Sequence, residues 1–114
     1  MGAGSYTYVG TGGYDRTRAM AALGNHLYIV DGGTLYKVDH DGGYENLDTG
    51  YDNTTGMAAL GGHVYIIDDG NLYKVAPDGS YEEIADGYTE TTAMTASGGA
   101  LWIVNGGSLY RVEG

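Results

Sequence analysis

The sequence predicts an all-β chain in which one four-stranded unit occurs three times, and three observations carry that prediction. Met20, Met57 and Met94 recur every 37 residues, as do Tyr28, Tyr65 and Trp102, and Tyr36, Tyr73 and Tyr110. Short apolar or alternating runs separated by glycine-rich turns fill each copy, with no helical period long enough for a helix. Within a copy the runs pass from small, through apolar and mixed, to charged, the gradient of a β-propeller blade read from its axis outward.

The elements follow in order. Residues 4–9 read as an outer strand, because Gly4-Ser5-Tyr6-Thr7-Tyr8-Val9 aligns with Gly79-Ser80-Tyr81-Glu82-Glu83-Ile84. Repeat 1 spans 17–53, repeat 2 spans 54–90 and a shortened repeat 3 spans 91–114, all in one repeat domain over 1–114. The inner strand, Ala19 to Leu23 with copies Met57 to Leu60 and Ala93 to Ala96, is alanine and methionine, which suits a place where backbones converge. Turns at Gly24-Asn25, Gly61-Gly62 and Gly98-Gly99 supply residues that tolerate positive φ. The second strand, Leu27 to Val30, Val64 to Ile67 or Leu101 to Val104, is apolar at successive positions and therefore buried on both faces. The third, Leu35 to Val38 or Leu72 to Val75, alternates and is expected to be partly exposed. Asp41-Gly42 and Asp78-Gly79 turn into a glutamate-bearing outer strand, Tyr44 to Leu47 or Tyr81 to Ile84, whose charges protect an edge. The link from Gly50 to Thr55 crosses to the next blade.

The chain starts on an outer strand and stops after a third strand, so the strands amount to three four-stranded blades with the last completed by exchange. Four blades is the practical minimum for a closed ring. The expectation is therefore half of a six-bladed ring, closed by strand exchange in a head-to-tail homodimer, with a nine-bladed trimer as the alternative assembly. The alternative fold is a β-trefoil monomer, which also has three four-stranded copies.

Composition narrows the function. Fifteen acidic against five basic side chains give a net charge of −10, which repels nucleic acid and anionic membranes. No cysteine is present, so thiol catalysis and thiolate metal sites are excluded. No charged segment precedes an apolar run at the N-terminus, so no targeting signal is read and localisation stays open. Twenty-two glycines, one proline, no phenylalanine and twelve tyrosines make an alphabet that reads either as a tight-turned β repeat of biased composition or as an engineered or reconstructed repeat protein.

Gly13-Tyr14, Gly50-Tyr51 and Gly87-Tyr88, followed by methionine and then by Leu27-Tyr28-Ile29-Val30 and Leu35-Tyr36-Lys37-Val38 or their copies, resemble blades of the tachylectin-type propeller lectins. The unit is also similar to kelch blades. The lectin resemblance implies carbohydrate binding, in which an exposed ring of Tyr14, Tyr51 or Tyr88 stacks on a sugar and Asp15 or Asp52 accepts its hydroxyl hydrogen bonds. The alternative, favoured here, is that each ring packs between blades with its hydroxyl satisfied.

Other constellations point to structure. His26 and His63 are equivalent, but Ala100 stands in the third copy and no local carboxylate pattern completes a shell, so no metal is expected. Asp39-His40-Asp41-Gly42 lacks two calcium ligands and reads as a turn. Gly10 to Gly13 precedes no helix and lacks the groups of a phosphate loop. Glu45, Glu82 and Glu83 fall on wet outer strands, where nothing raises a carboxylate pKa. The chain is expected to be a non-catalytic module without cofactor that assembles with itself, or alternatively a multivalent lectin-like module.

Overall fold

A computed structural model describes Gly4, Ser5, Val9 and residues 13–114. The outer strand read at Tyr6 to Val9 lies outside the described residues except for Val9, as does most of the Gly10 to Gly13 loop. Regular structure among the described residues is entirely β. Repeat 1 holds β1 (Thr17–Leu23), β2 (His26–Asp31), β3 (Thr34–Asp39) and β4 (Tyr44–Asp48). Repeat 2 holds β5 (Thr54–Leu60), β6 (His63–Asp68), β7 (Asn71–Val75) and β8 (Tyr81–Ala85), and repeat 3 holds β9 (Thr91–Ser97), β10 (Ala100–Asn105) and β11 (Ser108–Val112).

These strands make two four-stranded antiparallel sheets, β1-β2-β3-β4 and β5-β6-β7-β8, and one three-stranded sheet, β11-β10-β9. Each sheet is hydrogen-bonded within its own repeat, whereas a trefoil joins strands of different repeats into one barrel. The trefoil alternative is therefore set aside. Strand β5 lies against β1 on one side and β9 on the other, so the small inner strands converge as alanine and methionine require. Its burial shows the same arrangement, for Gly56, Met57 and Ala58 are buried while their counterparts in β1 are exposed or half-buried.

The sheets stack face to face through two cores. Tyr28, Val30 and Leu35 of the first sheet meet Val64, Ile66 and Val75 of the second, with Tyr51 and Met57 between them. Tyr65, Ile67 and Leu72 of the second sheet meet Leu101 and Ile103 of the third. Successive residues of β6 thus serve different cores, which is why that strand is apolar without alternation. Each fully buried Leu, Ile or Val here stabilises the stack by roughly 1.5–3 kcal/mol.

Inner strands begin earlier than the sequence suggests, at Thr17, Thr54 and Thr91, because each threonine closes a latch across its hairpin. Asp68 Oδ1 accepts from the Asn53 amide at 2.9 Å, with the Thr54 hydroxyl 3.1 Å away. Asp31 accepts from the Arg16 amide at 2.8 Å and stands 3.0 Å from the Thr17 hydroxyl. Asn105 repeats the pattern with the Glu90 amide and Thr91, both at 3.0 Å. The ladder shifts register beside each latch, between Thr17 and Ala19, between Thr54 and Gly56, and between Val104 and Asn105. Such bulges let a strand end turn toward the link that feeds it.

Candidate functional site

The link between the first two blades begins at a second bulge, because Leu35 pairs with Asp48 and Tyr36 with Asn46 and leaves Leu47 unpaired in register. The chain then passes through Gly50, whose φ of 94° favours glycine, to Tyr51. The Tyr51 amide donates to Gly33 O at 2.9 Å, which fixes the link against the β2–β3 turn of the preceding blade.

Tyr51 is only 5% exposed and belongs to the first core. Its ring meets Tyr73 edge-on at 6.3 Å, and Tyr73 meets Tyr81 edge-on at 5.6 Å. The three rings form an aromatic series running outward from the blade–blade contact. Tyr14, Tyr36 and Tyr44 repeat it, with centroids at 6.4 and 5.6 Å. Tyr88 is half-buried and packs against the second core.

The structure separates the residues that the lectin reading joins. Tyr51 lines a cleft of about 170 Å³ with Asp48, Asp68, Tyr73 and Tyr81. Asp52 points to a different cleft, beside Arg16, Arg18 and Gly33. The chain turns at Asp52 and Asn53, and the Tyr51 and Asp52 side chains line separate clefts. Asp48 and Asp68 stand on the tyrosine side instead. Asp15 is exposed, and Thr89 takes the corresponding place after Tyr88.

Electrostatics in this cleft follow from burial. Burial pushes the Tyr51 hydroxyl well above the ordinary phenol value, and the Asp48 carboxylate adds to that shift. The Asp68 carboxyl is also raised by burial, against the lowering effect of the Asn53 amide and the Thr54 hydroxyl. The cleft therefore resists additional negative charge and offers neutral hydroxyls and carboxylate acceptors.

The remaining candidates are spread over the blades. His26 Nε2 lies 3.0 Å from Asp39 Oδ1, and His63 lines a shallow cleft with Lys74 and Glu82. Among the described residues no three His, Cys, Asp or Glu side chains converge as a metal shell would. Glu45, Glu82 and Glu83 are exposed on β4 and β8. Asp41 and Asp78 each accept the amide two residues on, from Gly43 at 3.1 Å and Ser80 at 2.9 Å, which are turn bonds.

Neither a protein-family model nor a curated protein matches the chain. Its fold does match solved structures. PorZ, an essential bacterial surface component of the type-IX secretion system of Porphyromonas gingivalis, aligns at a TM-score of 0.71 and 14% identity, over 86% of this chain and 15% of its own. Virginiamycin B lyase from Staphylococcus aureus aligns at a TM-score of 0.67 and 13% identity, over 85% of this chain and 38% of its own. The N-terminal domain of Nup159 aligns at 0.58 and 10% identity, over 84% of this chain and 29% of its own. These are propeller-like proteins, and at such identities the likeness shows the fold alone. The chain is an all-β, propeller-like repeat module that spans well under half the length of the structures it resembles.

Proposed function

We propose that this chain is a non-catalytic propeller module of engineered or reconstructed origin that assembles with itself, two copies joining head to tail into a closed ring of six blades. One observation carries the reading: Leu109 is 66% exposed, while its repeat equivalents Leu35 and Leu72 are 0% exposed. The third sheet thus presents, open, the face that the first two bury. Among the described residues its edge strand β11 pairs only with β10, and a strand of the Tyr6 to Val9 kind from another copy would complete the sheet as β4 and β8 complete their own. Light scattering of the 114-residue chain tests this, with twice the chain mass of 11.9 kDa as the expected result and a single chain mass as the contrary one.

A second reading, carbohydrate binding, is favoured by the aromatic and acidic cleft at Tyr51. There the ring available to a sugar is Tyr81, 57% exposed, with Asp48 as hydroxyl acceptor. A glycan array followed by Tyr81→Ala and Asp48→Asn tests it; a bound glycan that survives both substitutions contradicts the site.

A further inference from the structure

The two blade–blade cores are built on one plan, and the plan can be stepped along the repeat. One copy beyond Tyr65, Ile67 and Leu72 stand Trp102, Val104 and Leu109, and one copy before Val64, Ile66 and Val75 stand Leu27, Ile29 and Val38. The first of these stepped sets contains the exposed Leu109. The second lines a largely apolar cavity of about 350 Å³ walled also by Val9, Tyr14, Asp39 and His40.

We infer that these two sets pack on one another between copies, as a third blade–blade core that seats Leu109 of one copy in the Leu27, Ile29 and Val38 cavity of the next. The inference rests on the closed-assembly reading above and adds which faces meet and in what register.

Three independent details agree with that register. Met57 is 7% exposed in the first core with Ala19 beside that core, and Met94 stands against Gly56, where an added Cβ would come within 3.1 Å of its side chain. Met20 is 53% exposed, and the same step sets it against Ala93 of the second copy. The Tyr51 amide donates to Gly33 O and the Tyr88 amide to Gly70 O, both at 2.9 Å. The next bond in that series runs from the Tyr14 amide to Gly107 O of the second copy. At the rim, the Leu47 backbone crosses Gly79 so closely that a Cβ would meet its carbonyl oxygen, and the Val9 carbonyl crosses Gly42 in the same way. Val9 therefore occupies the place of an outer strand of a preceding blade, and β9, β10 and β11 of a second copy are the strands that fit inside it.

A second copy is the fitting occupant because its chemistry is that of the cores already formed: aliphatic and aromatic side chains between sheets, with no charged residue in either stepped set. Leu109→Lys should raise the concentration for half-dissociation by at least about 100-fold, since it drives an ammonium into an apolar seat. Its strand content by circular dichroism should be unchanged, because Leu109 is exposed in the single chain. Glu45→Asp, on an exposed outer strand and with the net charge kept, should leave assembly as it was. Trp102, the sole tryptophan, reports without substitution, and its emission should shift to the blue as rising concentration assembles the chain. Assembly that survives in Leu109→Lys, or Trp102 emission that does not move, overturns the inference and leaves self-assembly standing. A chain that stays at 11.9 kDa at every concentration overturns both.

Discussion

Asp69 is a residue at which one copy departs from the others at a cost. It adopts a φ of 52°, and its equivalents Gly32 and Gly106 both lie at 57°. A left-handed backbone costs a non-glycine residue about 1 kcal/mol, so Asp69→Gly should stabilise the chain by roughly that amount in a denaturant titration. Asp68, its neighbour, gives a prediction in pH. Burial raises its carboxyl pKa, so between the ordinary carboxylate range and the raised value the native chain keeps a proton that the unfolded chain has lost. Stability from this group is therefore full below that window and falls as pH rises through it. Asp68→Asn removes the loss while keeping the acceptor oxygen, as Asn105 does in the third latch. The variant should melt slightly above the parent at neutral pH, and the gain should shrink toward pH 3; a variant that melts lower at pH 7 would show that the carboxylate is needed.

At the scale of the element, the strands and their order were legible, because small, apolar, mixed and charged runs report distance from the axis directly. Their starts were not. Thr17, Thr54 and Thr91 belong to the inner strands through latches that reach fourteen residues across a hairpin, which a local period cannot reveal. The signal was present in the threonine and the Asp or Asn kept in every copy. The candidate site was legible only in part: the lectin resemblance singled out Tyr51 with Asp52, but the turn at Asp52 and Asn53 leaves the two lining separate clefts, and Asp48 stands with Tyr51 instead. Tyr51 is structural in its packing, so Tyr51→Ala should cost about 3–5 kcal/mol by chemical denaturation. Loss of any glycan signal in that variant would therefore report on the fold, whereas Asp48→Asn would report on the cleft. Gly79→Ala belongs to the same scale. Its φ of 93° and the Leu47 backbone above it should make alanine destabilise the β7–β8 turn by more than 1 kcal/mol, or about that if the strand shifts.

For the whole molecule, the two cores join successive blades, and the open face at Leu109 is the ground for the proposed assembly. Nothing in a repeat-by-repeat reading of composition distinguishes Leu109 from Leu72; the difference between 66% and 0% exposure arises only when the sheets are stacked. Charge opposes the association that this exposure favours, because each chain carries a net −10. Raising salt from about 0.05 to 0.5 M shortens the screening length severalfold and should strengthen assembly, a trend measurable by analytical ultracentrifugation. Weaker assembly at high salt would mean that ion pairs, and not apolar faces, hold the copies together. The most direct test is the mass of the 114-residue chain in solution across micromolar concentrations. The account predicts a species of twice 11.9 kDa, and a single species of 11.9 kDa throughout would contradict it.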